Sequence, residues 1–208
     1  ADKVGGDYYD YFFRKEAQLD IVIADVSGHS IGPALFMVEA RSAIRAQTNL
    51  LATPSETLDV LNNFLFDDLD KSDYFITLFY MQYNIHTQQL RFANAGHPPP
   101  LLFSQYEGKF KGLDAEGLIL GVKRHVVFEE KATMLGKGDL ILFYTDGLIE
   151  AENADKEFFG LERVKCVLLQ NIQESPQHII NSLIDAIEQF CLKTSFVDDI
   201  TLMVLKCS

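Results

Sequence analysis

The length, composition and charge of the chain exclude several classes of protein. Its 208 residues suit one domain with a sizeable core, and 48% apolar against 23% charged residues exclude a disordered or fibrous chain. No apolar run approaches the roughly 20 residues that a membrane span needs, so we expect no membrane contact by this domain. The net charge of −12 leaves no basic stripe for phosphates, which argues against a nucleic-acid partner.

The start of the chain and its cysteines indicate its origin and compartment. The chain opens on Ala1 with neither an initiator methionine nor a targeting segment. We therefore predict that residues 1–208 form a single domain excised from a longer multidomain protein. Cys166, Cys191 and Cys207 are odd in number and lack metal-type spacing, which favours reduced thiols and a cytoplasmic location. The full-length protein could still be membrane-anchored through a region outside this sequence.

The first elements predicted along the chain are two strands and a helix. Apolar residues at 8–13 and 19–26 predict consecutive strands joined by a polar turn. Ser30 can cap a helix that runs to about Gln47. The buried stripe predicted for this helix consists of Ile31, Ala34, Leu35 and Val38.

A capping box predicts where the second helix begins. Thr53 is the cap, Pro54 takes the first helical position and Glu56 the third. The inner face predicted for this helix consists of Leu58, Leu61 and Leu65. Periodicity predicts later strands at 75–83, 89–93, 100–103, 125–132, 139–145 and 200–205, and helices at 161–169 and 176–191.

Two of the predicted strands are apolar on both faces. Residues 19–26 and 140–145 should therefore lie centrally in sheets that are covered on both sides. Hairpin-like spacings between the strands favour antiparallel pairing. The pattern suggests an α+β fold, an α-β-β-α four-layer sandwich in which two mainly antiparallel sheets are flanked by helices.

Acidic residues close several of these apolar strands or stand beside them. Carboxylates in such positions repel each other unless a cation lies between them, and oxygen-only clusters usually hold a hard divalent ion. No His/Cys group has the spacing of a zinc site, so Mg²⁺ or Mn²⁺ is favoured. A single Asp in a turn is more often structural, but a set is harder to dismiss. The acidic residues are Asp7, Asp25, Asp146 and the pair Asp198–Asp199.

Ordered motifs around these acids match a known family. They are GGDYYD at 5–10, ADVSGH at 24–29, NAGHPPP at 94–100, YTDG at 144–147 and DDIT at 198–201. Together they closely resemble the SpoIIE/RsbU-type branch of the PPM family of metal-dependent serine/threonine protein phosphatases (type 2C-like). The resemblance spans nearly the whole chain, and it implies the α-β-β-α sandwich with a binuclear site at one edge of the paired sheets.

The resemblance also implies a ligand set for two, or as many as three, Mn²⁺ or Mg²⁺ ions. Asp25 matches the carboxylate that bridges both metals, and it is expected to be catalytic together with Asp146. Asp198 is preferred to Asp199 because the family places its ligand first in this motif. The implied ligands are Asp7, Asp25, the carbonyl of Val26, Asp146 and Asp198, with Asp199 as the alternative.

Other residues are candidates for supporting these ligands. Glycine lets the backbone approach a metal, its waters or a phosphate closely. Asp10 is either a support behind the ligands or a surface residue of its strand, and the surface reading is favoured. The supporting candidates are Gly6, Asp10, Gly28, His29 and Gly147.

Two histidines could protonate the leaving serine oxygen. His29 and His97 each lie in a Gly/Pro-rich turn, where a structural hydrogen bond is the commoner role for a histidine. The phosphate-binding arginine of eukaryotic relatives has no counterpart here. A phosphate contact from Arg14 or Lys15 is the remaining alternative.

The branch typically acts on phosphorylated anti-sigma-factor antagonists of STAS fold. The resemblance therefore implies a phosphoserine/phosphothreonine phosphatase in a bacterial partner-switching pathway, with an upstream sensor or receiver region in the same chain, and it leaves dimerisation open. An inactive phosphatase-fold scaffold that binds a phosphoprotein is the alternative, although such a scaffold should have lost metal carboxylates. A diguanylate cyclase fails because its Gly-Gly-acidic hairpin lies in mid-domain, whereas here the motif starts at residue 5.

Overall fold

The computed structural model describes residues 5–15, 17–28, 31–47, 53–192 and 198–207. Over these residues the chain forms nine strands and five helices. The strands are β1 (Tyr8–Lys15), β2 (Gln18–Val26), β3 (Ile76–Asn84), β4 (Gln89–Ala95), β5 (Leu101–Ser104), β6 (Lys109–Gly112), β7 (Glu130–Met134), β8 (Leu140–Tyr144) and β9 (Leu202–Lys206). The helices are α1 (Ile31–Gln47), α2 (Pro54–Ser72), α3 (Asp146–Ile149), α4 (Gly160–Gln170) and α5 (Pro176–Cys191).

The chain divides into two compact units, each with its own antiparallel sheet. Unit 1 comprises Ala1–Pro99 and Leu113–Leu135 and has the strand order β1-β2-β3-β4-β7, with α1 and α2 packed on it. Unit 2 comprises Pro100–Gly112 and Gly136–Ser208 and has the order β6-β5-β8-β9, with α5 packed on β9. The predicted α+β class, two antiparallel sheets with flanking helices, is confirmed. The single-domain assignment stays a prediction.

The strands predicted to be central are central. β2 pairs with β1 and β3, and its residues Ile21, Val22 and Ile23 are buried in succession. β8 pairs with β5 and β9 and is buried throughout. Consecutive buried residues alternate between the two faces of a strand, so both faces of each are covered.

Helix α2 begins as its capping box predicts. The Thr53 side chain accepts a hydrogen bond from the Glu56 N–H, and the Glu56 carboxylate accepts one from the Thr53 N–H at 3.1 Å. The same face of the helix then packs against the sheet of unit 1. Its fully buried leucines are Leu58, Leu61, Leu65 and Leu69.

The predicted buried stripe of α1 is wrong for three of its four residues. Ile31, Leu35 and Val38 are 55%, 65% and 53% exposed, and only Ala34 is buried. The residues of α1 that enter the core are instead Ala40, Ala43 and Ile44, with Phe36 and Met37 packed against this core and partly buried. Small alanines let the helix backbone approach the sheet closely, and this packing overrides the larger apolar residues. Ser30, the predicted cap, lies outside the described residues.

Two further strand predictions need correction. The strand predicted at 125–132 is β7 and covers only Glu130–Met134, because the Glu129 N–H donates to the Glu116 carbonyl instead of joining the ladder with β4. His125 has a left-handed backbone, which also interrupts extended structure. The short strand β6 was not predicted, since its four residues carry two lysines and a glycine.

Arg14 is engaged in the fold, not open to a ligand. Its Nε lies 2.9 Å from Oδ2 of Asp20, which is fully buried and also accepts a hydrogen bond from the Tyr80 hydroxyl at 2.6 Å. Burial of Asp20 in this way needs such partners because an isolated buried carboxylate is costly. The alternative phosphate contact, the Lys15 side chain, lies outside the described residues.

No disulfide joins Cys166, Cys191 and Cys207. Among the described residues, no helix has the length and apolar character needed to cross a bilayer.

Candidate functional site

The acidic residues of unit 1 lie at the ends of the first two strands. The β1–β2 register sets Tyr8 opposite Ala24, and the Val26 N–H donates to the Gly6 carbonyl at 3.3 Å, which extends the same register. Asp7 is therefore opposite Asp25. Directly opposed carboxylates repel, so this arrangement is unfavourable unless positive charge offsets it.

Gly6 brings a third oxygen donor beside the Asp25 carboxylate. A Cβ atom on Gly6 would come within 3.0 Å of the Val26 carbonyl oxygen and 3.1 Å from Oδ1 of Asp25. Only glycine fits there without displacing backbone. The carboxylate and the carbonyl thus line one small space, and such hard oxygen donors suit Mg²⁺ or Mn²⁺.

On its other side Asp25 is opposite Thr77 of β3. The Thr77 hydroxyl lies 2.8 Å from Nδ1 of His97, whose side chain is buried in the turn after β4. Sequence reasoning missed Thr77 because no local motif marks it. The signal is the strand register, which becomes readable only once β2 and β3 are paired.

The turn after β2 and the residue Asp10 have separate surroundings. Two hydrogen bonds join Ser27 to Phe75. The Ser27 N–H donates to the Phe75 carbonyl at 3.0 Å, and the Ser27 hydroxyl oxygen accepts from the Phe75 N–H at 3.1 Å. Gly28 follows with φ +94, and His29 lies outside the described residues.

Asp10 lies on the face of β1 opposite to Asp7 and accepts two hydrogen bonds from Arg45 of α1.

The acidic residues of unit 2 lie where β8 and β9 meet their flanking loops. The Thr145 N–H donates to the Thr201 carbonyl at 3.2 Å, and the Thr201 N–H donates to Oγ1 of Thr145 at 3.0 Å. These bonds continue the β8–β9 ladder by one residue. They bring the loop that contains Asp198 and Asp199 beside Asp146, which begins α3.

Asp198 and Asp199 differ in how they contact the residues that begin α3. Burial, and then the charge of Asp198, raise the pKa of the Asp146 carboxyl, while its hydrogen bond with the Gly147 backbone lowers it. The Asp198 carboxylate also accepts the N–H of Asp199 at 2.9 Å. A Cβ atom on Gly147 would come within 3.0 Å of the Asp199 carbonyl oxygen, so Asp199 meets Gly147 through its backbone.

The candidate ligands therefore form two acidic pairs, one in each unit. Over the residues that the structure covers, no cluster of three or more His, Cys, Asp or Glu side chains is arranged to hold a metal ion. The donors present, carboxylates and a backbone carbonyl, have the chemistry that a hard divalent cation requires.

Comparison with known proteins identifies the family. The model of the family described as Stage II sporulation protein E (SpoIIE) matches residues 15–208. The chain belongs to the SpoIIE family. Among curated proteins, this SpoIIE-family chain is 32% identical over 209 residues to phosphoserine phosphatase RsbU of Bacillus subtilis (strain 168), a match that covers 99% of the chain and 60% of RsbU. The chain thus spans about 60% of the length of that relative.

Solved structures confirm the fold of the SpoIIE-family chain. The RsbU and RsbW domains of Rv1364c from Mycobacterium tuberculosis match with a TM-score of 0.78 and 27% identity, covering 97% of this chain and 55% of that one. The SiaA-PP2C domain of Pseudomonas aeruginosa matches with a TM-score of 0.86 over 99% of this chain and 82% of that one. Its 19% identity supports the fold alone. The predicted kinship with the SpoIIE/RsbU branch is confirmed.

Proposed function

We propose that this SpoIIE-family chain is a metal-dependent phosphatase that hydrolyses phosphoserine or phosphothreonine on a regulatory protein. The observation that carries the proposal is the pair Asp7 and Asp25, opposed across a β-ladder with the Val26 carbonyl beside them. A divalent cation bound between two carboxylates in this position would offset their mutual repulsion. Kinship to RsbU, a phosphoserine phosphatase by its name, supports the reaction class.

The proposed ligands follow from the chemistry of each pair. Asp7, Asp25 and the Val26 carbonyl would hold one Mn²⁺ or Mg²⁺ ion, and Asp146 and Asp198 would be ligands of a second. The repulsion between Asp146 and Asp198, which a cation would relieve, supports their assignment. The neighbouring glycines would leave room for the ions.

Bound divalent cations supply an activated water and offset negative charge on the phosphoryl group. In the protein, Asp25 and Asp146 would each hold an ion in place, and Gly6 would keep the Val26 carbonyl accessible. No phosphoenzyme is required. No arginine follows Cys166 or Cys191 at the Cys-x5-Arg spacing of cysteine-dependent phosphatases.

The biological setting is proposed from the family resemblance. The substrate would be a phosphorylated STAS-type anti-sigma-factor antagonist, and the pathway a bacterial partner-switching system in the cytoplasm. Residues 1–208 would act as one catalytic domain of a longer chain with an upstream sensor or receiver region. The retained carboxylates favour turnover over a scaffold that only binds its phosphoprotein.

The proposal is tested on the full-length protein with a serine-phosphorylated STAS protein as substrate. We expect phosphate release that requires Mn²⁺ and stops with EDTA. Asp25→Asn should lower kcat/KM by at least about 10³-fold, since neutralising a metal carboxylate removes several kcal/mol of transition-state stabilisation. Asp70→Asn, which neutralises an exposed carboxylate on α2, is the matched control and should leave activity unchanged. Tight binding of the phosphoprotein without turnover would favour the scaffold.

A further inference from the structure

A chain of contacts leads from a buried histidine to the strand position opposite Asp25. Thr77 of β3 is directly opposite Asp25 of β2, so the two side chains share one face of the sheet with their Cβ atoms about 4.5–5.5 Å apart. The Thr77 hydroxyl lies 2.8 Å from Nδ1 of His97. Thr77 therefore contacts the imidazole and shares a sheet face with the Asp25 side chain.

His97 is buried, and its backbone is held in the turn by Asn94. Its side chain is only 2% exposed. The backbone N–H of His97 donates to Oδ1 of Asn94 at 2.9 Å, and Nδ2 of the same Asn94 donates to the backbone carbonyl of His97 at 2.9 Å. Asn94 is itself fixed by a second bond, from Nδ2 to Oδ1 of Asp114 at 3.2 Å. The ring thus reaches Thr77 from a closed hydrogen-bonded turn.

We infer that His97 is a positioning residue that orients the Asp25 carboxylate through the Thr77 hydroxyl. Nδ1–H of His97 donates to Oγ1 of Thr77, and the hydroxyl hydrogen of Thr77 is then directed to Asp25. The inference rests on the proposed function, because it gives Asp25 its role as a metal ligand. Hydrogen-bond partners behind metal ligands typically contribute 10–100-fold in metal affinity or activity.

Burial distinguishes this role from the general-acid role that the sequence left open. A general acid must reach the leaving oxygen of the substrate, directly or through one water. The His97 ring is almost completely enclosed, and its Nδ1 already faces Thr77. Its effect on the reaction is therefore exerted through the protein.

Two matched pairs of variants of the full-length protein test the inference. Thr77→Val removes the hydroxyl but keeps the shape, whereas Thr77→Ser retains it. An Asn side chain places its amide where Nδ1 of His97 lies, whereas Gln places its amide near Nε2. We expect Thr77→Val and His97→Gln to weaken Mn²⁺ binding about 10–100-fold in isothermal titration calorimetry, with a similar loss of turnover. Thr77→Ser and His97→Asn should stay within about threefold of wild type.

The double variant shows whether the two residues act as one unit. If His97 acts through Thr77, the double variant Thr77→Val/His97→Gln should lose no more Mn²⁺ affinity than the single variant with the larger loss. Additive losses would overturn the inference. Thr133→Val on β7 is the control for a strand threonine and should leave Mn²⁺ affinity unchanged. Melting temperatures are recorded for every variant, because a purely structural role would lower them while leaving metal affinity unchanged, which also overturns the inference.

A comparison of substrates separates positioning from proton donation. Positioning predicts the same fold-loss for p-nitrophenyl phosphate and for the phosphoserine protein, because both need the metal centre. A selective loss on phosphoserine, whose leaving group needs a proton, would overturn the inference. A wild-type protein that binds no Mn²⁺ would overturn the proposed function and this inference with it. Metal-dependent wild-type activity with unaltered Thr77→Val would overturn the inference alone.

Discussion

The two acidic pairs of the chain are held by different kinds of structure. Asp7 and Asp25 are opposed across a β-ladder, where the strand register sets their separation. Asp146 and Asp198 lie instead where a one-turn helix meets a loop, tied by two hydrogen bonds between Thr145 and Thr201. Both pairs use a glycine that admits a carbonyl oxygen, Gly6 for Val26 and Gly147 for Asp199. Two acids beside a glycine are thus built on a sheet in one unit and on a loop in the other.

The largest effect is expected when each acid of the 198–201 loop is neutralised in turn. Asp198→Asn should lower kcat/KM by about 10²–10³-fold, because it removes the carboxylate whose charge acts on Asp146. Asp199→Asn should change kcat/KM less than about threefold, since Asp199 meets the turn through its backbone. Steady-state kinetics with Mn²⁺ measures both. An equal loss for the two variants would contradict the assignment of Asp198.

The glycines offer the next largest effect. Gly6→Ala and Gly147→Ala each place a Cβ atom against a carbonyl oxygen, so the backbone must shift. A misplacement of about 1 Å at a reacting centre costs roughly 10²-fold, and we expect that loss in kcat/KM for both variants.

Gly136→Ala is the matched control for the glycine variants. Its nearest neighbour would lie 3.6 Å away, an ordinary contact, so activity should be unchanged. Gly6→Ala should also raise the Mn²⁺ concentration needed for half-maximal activity. Normal kinetics in Gly6→Ala would show that the Val26 carbonyl does not line the site.

The smallest effect concerns the opposite face of β1. Although burial acts to raise it, hydrogen bonds from Arg45 and Tyr8 hold the pKa of Asp10 below 3.8. An acid with a lowered folded-state pKa stabilises the fold above its unfolded pKa, and this stability is lost as the pH falls through the folded pKa. Arg45→Met should therefore lower the free energy of unfolding by about 1 kcal/mol or less at pH 7. The part due to Asp10 should be lost as the pH falls, whereas the part due to the stacking of Arg45 on the Phe12 ring should persist in acid.

Urea denaturation at pH 7, 5 and 3 measures this difference, with Lys137→Met as an exposed control. Turnover by Arg45→Met should stay near wild type, because Asp10 faces α1 and not Asp7. A loss of Mn²⁺ affinity in Arg45→Met would instead mean that Asp10 supports the metal ligands.

Short sequence patterns correctly predicted those features whose residues lie close together in the chain. The capping box joins Thr53 to Glu56, three residues later, so the start of α2 follows from a pattern within one helical turn. The acidic motifs were recognisable for the same reason: the motifs of Asp7, Asp25 and Asp146 each combine an acid with a glycine in one short segment, and DDIT directly precedes a predicted strand. Membership in the SpoIIE family followed from the order of these motifs.

Short sequence patterns could not predict contacts between residues that are far apart in the chain. The burial of Ala40, Ala43 and Ile44 in place of Ile31, Leu35 and Val38 depends on which face of α1 meets the sheet. Periodicity shows that a helix has an apolar face, but only packing selects between two neighbouring ones.

By itself, then, the sequence determined the class of fold, the family and the identity of the acidic residues, since each is written in local patterns. Packing over long range was needed to show that Asp7 is opposite Asp25, that Thr77 lies opposite Asp25 and beside His97, and that the charge of Asp198 acts on Asp146. The physical reason is strand register. A shift of one residue would turn every side chain of a strand to its other face, and register is set by the packing of whole sheets.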